Sequence, residues 1–173
     1  MNALPDKAIF EAVAELRGIL PAFVEKDWFV TQVIAAIGKV SVPGFQIVFT
    51  GGTALSKAHG LLERFSEDVD FRVVTVGEPK RAALSAFKKD VVDAIRADGF
   101  IVDDSKVRAR DSNRFFSIDL DYASHFSQAD ALRPHIQVEV SIRATQLLPI
   151  DRPVASFVSL ATKSDPEVSR IAC

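Results

Sequence analysis

Three stretches of this chain alternate polar and apolar residues with a period of two: Asp68-Val69-Asp70-Phe71-Arg72-Val73, Phe115 to Tyr122, and His135 to Arg143. Successive side chains of a strand point to opposite faces, so each stretch reads as a strand with one buried and one solvated side. In the second, Phe116, Ile118, Leu120 and Tyr122 form the apolar side and Ser117, Asp119 and Asp121 the polar one. In the third, Ile136, Val138, Val140 and Ile142 face a core, while Gln137, Glu139, Ser141 and Arg143 face away. Strands of this kind need a sheet covered by helices on one face and open on the other. The expected fold is therefore α+β, with a mixed or antiparallel sheet. A doubly wound parallel sheet demands strands apolar on both faces, and only Phe45 to Thr50 comes close.

Elsewhere the period is helical. Asp6 is a plausible N-cap for residues 6–20, with Ile9, Val13, Leu16 and Leu20 at helical spacing. Pro21 opens a second helix over 21–39 with the stripe Val24, Trp28, Val30, Ile34 and Ile37, ending before Pro43-Gly44. A third spans 79–97 and closes at Asp98-Gly99. Phe45 to Thr50 followed by Gly51-Gly52 and a helical stretch reads as strand, tight turn, helix. In Lys106 to Arg110 one strand face carries three cations, which reads as a charged edge strand ahead of a strip for RNA backbone. Residues 149–173 hold a short apolar run, Val154 to Leu160, and then a polar segment.

The 173 residues are 48% hydrophobic and 25% charged, with formal net charge −2. A chain of this length buries roughly 68–70% of its unfolded surface and folds as one domain without disulfides or structural metal. Its lone Cys173 cannot close an intrachain disulfide. The near-neutral charge excludes a surface coated in base, so any nucleic-acid contact has to be a local patch. No segment approaches the ~18 apolar residues of a membrane span. The start, Met-Asn-Ala-Leu-Pro-Asp, has no basic region typical of a signal peptide, and a cytoplasmic protein is expected.

Asp68 and Asp70, at i and i+2 of a strand, project from one face about 6.5–7 Å apart, close enough to share a metal. Hard Mg²⁺ prefers one or two carboxylates together with phosphate oxygens and water. An isolated Asp-x-Asp is common on solvated strands, but the junction Thr50-Gly51-Gly52-Thr53-Ala54-Leu55-Ser56-Lys57 lies just upstream. Two glycines let backbone N–H groups approach an anion, and the helix that follows offers its positive end. Thr53 would cap that helix or touch a phosphate, and Lys57 would reach phosphate or the strand. A plain Gly-Gly turn with Thr as cap fits the same residues. A third acid would complete a two-metal arrangement, with ions roughly 3.5–4 Å apart. Glu139, mid-strand on a polar face, is the first choice, and Asp119 and Asp121 compete by the same logic. His59, His125 and His135 lie on different expected elements, and Trp28 and most Phe residues sit at core positions.

Gly51 to Lys57 followed by Arg64-Phe65-Ser66-Glu67-Asp68-Val69-Asp70-Phe71 resembles the signature of the AbiEii/AbiGii toxin family, within the polymerase-beta-like nucleotidyltransferase superfamily. Arg133 to Val140 looks like the family's later strand, with its third acid at Glu139. The resemblance implies NTP and Mg²⁺, or Mn²⁺ in its place, and transfer of a nucleotidyl group to an RNA, in relatives often a tRNA end. It also implies the toxin half of a toxin–antitoxin or phage-abortive pair, with a cognate antitoxin protein as partner and no membrane. Carried over, Gly51, Gly52 and Thr53 hold the triphosphate, and Asp68 and Asp70 hold metal. Glu139 completes the metal site or deprotonates the acceptor. Lys57 and Arg64 are phosphate contacts, or surface charges paired with Glu63 or Glu67. Family members usually continue into a helical C-terminal part, which this chain is expected to lack. The rival reading is a catalytically weak NTP-binding module acting through protein contacts.

Overall fold

A computed structural model describes residues 1–62, 65–126 and 132–173. Helices α1 (Lys7–Arg17) and α2 (Pro21–Gly38) precede strand β1 (Phe45–Thr50), which runs directly into the short helix α3 (Gly51–Lys57). Strand β2 (Asp68–Thr75), helix α4 (Arg81–Ala97) and strands β3 (Val107–Arg110), β4 (Phe115–Leu120) and β5 (Ile136–Ile142) follow. The chain then forms β6 (Asp151–Val154), α5 (Phe157–Thr162) and β7 (Val168–Ala172). The main sheet has the order β1-β2-β5-β4-β3; β2 and β5 are parallel and every other pair is antiparallel. This is the mixed α+β sheet that the alternating strands demand.

The apolar sides of those strands form one core with the helices: Phe49, Phe71, Val73, Phe116, Ile118, Val138 and Val140 are buried with Ile34, Ile37, Phe87 and Ile95. Phe45 stacks on Phe87 at 4.8 Å between ring centroids, joining the β1 edge to α4. Strand β3 is the far edge, where Lys106 and Arg108 pair with Asp121 at 2.5 Å and Asp119 at 3.0 Å. The tail is more ordered than its composition suggests, because β6 and β7 pair into a two-stranded sheet whose Val154, Val168 and Ile171 join the same core.

Two helix faces differ from expectation. Helix α1 buries Phe10, Val13 and Ala14, not Ile9, Leu16 and Leu20. It stops at Arg17, where Gly18 takes φ +66°, and it docks through Phe10 against the His125 and Phe126 rings. Helix α2 is buried on all sides, since β2, α1, α4, α5 and β7 surround it. That burial includes three consecutive charges, each partnered: Glu25 with His125, Lys26 with Glu67, Asp27 with Lys57. Among the described residues no helix is long and apolar enough to cross a membrane.

Candidate functional site

Register decides what the open face carries. Asp70 lies directly across from Glu139 in the parallel β2–β5 pair, and Asp68 lies across from Gln137. Partners in register share a face and sit about 4.8 Å apart, so Asp68, Asp70 and Glu139 occupy three adjacent positions on one surface. On the other side of Asp70 is Thr50, the last residue of β1, and the chain turns there into α3 through Gly51 at φ +78°. Thr50, Gly51, Asp70, Arg72, Phe115, Glu139 and Ser141 line a cleft of about 230 Å³.

The electrostatics follow from that crowding. Burial, reinforced by the Glu139 and Asp68 carboxylates beside it, pushes the Asp70 carboxyl up to about 6. Asp68 is held differently: Arg133 donates from Nη1 to Asp68 Oδ1 at 2.6 Å and to Gln137 Oε1 at 2.7 Å. Gln137 in turn donates to Glu139 Oε1 at 3.2 Å. Beneath this chain lies Lys26, fully buried, which donates to Glu67 and, at 2.7 Å, to the Arg133 carbonyl. Glu67 also accepts the Arg133 backbone N–H at 3.1 Å. The competing acids are engaged elsewhere, Asp119 by Arg108 and Asp121 by Lys106.

Thr53 and Lys57 are near the site but turned from the cleft. Thr53 is buried inside the first turn of α3, while Thr50 takes the N-cap position. Its hydroxyl donates to the Asp68 carbonyl and lies 2.8 Å from Ser66 Oγ, fastening α3 to the start of β2. Lys57 is 7% exposed and forms an ion pair at 2.6 Å with the buried Asp27, not with Glu67, and it also donates to the Ala155 carbonyl at 3.2 Å; Glu63 lies outside the described residues. Gly52 sits in the same turn, half-buried. Arg64 lies outside the described residues. Sequence reasoning missed Arg133, Lys26 and Glu67; the one signal available was the trio Glu25-Lys26-Asp27 inside an otherwise apolar helix, since charges buried without partners are too costly to keep.

Among the described residues, no set of three or more His, Cys, Asp or Glu side chains is gathered tightly enough to hold an ion as it stands. The donor set nonetheless suits a hard divalent cation. It offers carboxylate oxygens from adjacent positions on one open face, and the Asp70 carboxyl, raised by burial first and by the Glu139 and Asp68 carboxylates next, has no cation paired with it among the described residues. Asp68 would have to leave Arg133 to join it.

A sheet of this order, with adjacent acids on its open face beside a strand-Gly-Gly-helix corner, defines a nucleotidyltransferase fold. Residues 41–169 match the family described as nucleotidyl transferase AbiEii toxin, type IV TA system. The chain belongs to that family of nucleotidyltransferases. No curated protein matches it by sequence. Among solved structures it is similar to MenT4, a nucleotidyltransferase toxin from Mycobacterium tuberculosis H37Rv, at TM-score 0.56 and 18% identity, covering 97% of this chain and 54% of that one. The chain thus spans about half the length of that protein, and the likeness is one of fold. Cid1 poly(U) polymerase, with Mg and 3'-dATP bound, matches at TM-score 0.37 and 17% identity over 79% of this chain and 37% of that one.

Proposed function

We propose that residues 1–173 form one catalytic domain that transfers a nucleotidyl group from NTP to an RNA hydroxyl, a tRNA end being one such acceptor. The reading includes the toxin role in a toxin–antitoxin pair, a cognate antitoxin as partner, and the cytoplasm, where NTP and RNA meet. The observation that carries it is the side-by-side register of Asp70 and Glu139 opposite Gly51. Mg²⁺, or Mn²⁺, held by Asp68, Asp70 and Glu139 would supply charge neutralisation at the reacting phosphate.

The chain's own groups do the rest. Gly51 and Gly52 let backbone approach the polyphosphate, because neither has a side chain in the way. Glu139 takes the proton of the acceptor hydroxyl as its oxygen bonds to the α-phosphorus and the bond to pyrophosphate breaks. Positioning supplies much of the rate, and here it rests on Thr53, which fixes the start of β2, and on Gln137, which orients Glu139, while Arg133 is the cation that Asp68 would exchange for the metal. Lys57 serves the site through the packing of α3, and Arg64 is kept as a phosphate contact on the family resemblance alone.

Incubation of each labelled NTP with total RNA tests this. Wild type is expected to label RNA and release pyrophosphate, and Asp70→Asn to lose roughly a hundredfold or more at unchanged folding. The Arg133–Asp68 pair, a cation already seated on one carboxylate, favours a second reading: an NTP-binding module that performs no transfer. Tight NTP binding by wild type, with no labelled acceptor in Mg²⁺ or Mn²⁺, would decide for that module.

A further inference from the structure

The cations of the open face fall into two groups. Lys106, Arg108, Arg114 and Arg133 are paired with Asp121, Asp119, Glu78 and Asp68. Arg72, Arg110 and Arg143 form no side-chain hydrogen bond or ion pair with a described residue. Instead the Arg110 guanidinium lies over the Phe115 ring, 4.7 Å from its centroid. These groups are aligned. Arg72 is in register with Ser141, Ser141 with Phe115, and Phe115 with Arg110, a row crossing four strands. It runs beside the row Asp70, Glu139, Ser117, Arg108, one register step away on the same face. At Phe115 the carboxylate cleft meets a second cleft of about 340 Å³ lined by Arg110, Asp111, Arg114, Phe115, Ile142 and Arg143.

We infer that the row Arg72, Phe115, Arg110, with Arg143 beside it, is the track on which a single-stranded RNA lies with its terminal hydroxyl at Asp70 and Glu139. This rests on the transfer reading only for where the hydroxyl goes. Beyond Asp70 and Glu139, which share the cleft of Arg72, the Arg110 and Arg143 guanidinium groups have no ion-pair partner among the described residues and face one acid, Asp111, while Glu78 is taken by Arg114. This end of the track therefore carries a net positive charge suited to phosphates. The half-exposed ring between them offers a stacking platform that every base can use, and Arg on an aromatic face strengthens it. From β2 to β3 the row covers three strand spacings, about 14 Å, more than one nucleotide requires. It also leads away from Gly51, the corner assigned to NTP, so donor and acceptor enter from opposite sides of the acids. An acidic peptide would satisfy the charges but leave the ring unused.

Fluorescence anisotropy with a labelled single-stranded RNA of about 12 nucleotides tests the track. Arg110→Gln/Arg143→Gln is expected to weaken binding at least tenfold and to flatten the dependence of log K on log salt by about 1.4, which is 0.7 for each lost phosphate contact. Phe115→Leu is expected to weaken binding about fivefold or more with the salt slope unchanged. Affinity for a fluorescent NTP stays constant in Arg110→Gln/Arg143→Gln. RNA binding unaltered in folded variants, or NTP binding lost in step with RNA binding in that double variant, would overturn the assignment. So would equal affinity for a blunt RNA duplex. The single variants Arg110→Gln and Arg143→Gln, each expected to remove about half of the slope change, serve if the double variant does not fold. Wild type that binds RNA through these residues but transfers nothing refutes the transfer reading and leaves the track; transfer to a different acceptor, with no RNA binding, refutes the track and the RNA acceptor and leaves nucleotidyl transfer itself standing.

Discussion

A Cβ placed on Gly51 would lie 2.8 Å from Cγ and 2.9 Å from Cβ of Asp70. The glycine is therefore part of the Asp70 site, holding open the space its carboxylate fills. Gly51→Ala is expected to displace Asp70, lower transfer about a hundredfold and cost about 2–3 kcal/mol, combining the left-handed backbone with the overlap. Gly44→Ala is the control: its φ is +82° but nothing lies within 4 Å of the added carbon. It should lose only about 1 kcal/mol and retain activity. Thermal melts alongside NTP labelling separate the two, and equal activity in both variants would refute the link.

The raised Asp70 carboxyl makes stability depend on pH in a defined direction. Its folded value, about 6, lies above the ordinary carboxylate value of 3.8. Between those limits the folded chain binds the additional proton, so this group's contribution to stability falls as pH rises from about 4 to above 6. Asp70→Asn removes that loss. The variant should be more stable than wild type at pH 7 by on the order of 1–2 kcal/mol, the shift being discounted for partial solvation, with the advantage disappearing near pH 4. Urea midpoints across this range measure it. Added Mg²⁺ should narrow the gap at pH 7, since a bound cation removes the repulsion in wild type.

How far the site could be read from the sequence depended on whether alternation or long-range register fixed a residue. Asp68, Asp70 and Glu139 were legible because period-two patterning assigns each to a polar face, and the structure sets their strands side by side. Asp119 and Asp121 satisfied the same rule; what separates them is the pairing order of the sheet, which brings Arg108 of β3 and Lys106 just before it to them. Lys57 was misleading because its spacing from Gly52 fits a phosphate contact. Only the fold, which brings Lys57 to α2, reveals the buried Asp27 that claims it. Phe115 opens the second alternating stretch on the side of Ser117, but only its register opposite Ser141 sets this lone ring beside Arg72 and Arg110 on the open face.

Lys57 supplies a prediction that distinguishes packing from phosphate binding. Burial pushes the Asp27 carboxyl up and Lys57 pulls it back, so removing the ammonium strands a buried acid. Lys57→Met should cost about 3–5 kcal/mol in urea unfolding, while the fraction still folded keeps its NTP affinity within about twofold. A large loss of affinity at unchanged stability would return Lys57 to the phosphate-binding set.

The last prediction concerns Lys26, whose ammonium is wholly buried and whose proton is opposed by burial and retained through Glu67. Glu67→Gln leaves that ammonium without its counter-charge and weakens the anchor of the Arg133 backbone, so it should cost about 3 kcal/mol. Lys26→Met removes the charge along with the need for a partner and fills similar volume, so it should cost less. In Lys26→Met/Glu67→Gln the two losses should sum to more than the measured total by at least about 1 kcal/mol, the signature of groups that act on each other. Additive losses would mean that the pair contributes nothing as a pair. Arg133 would then reach Asp68 through the geometry of β5 alone, and the charged floor beneath the acids would have no part in aiming them.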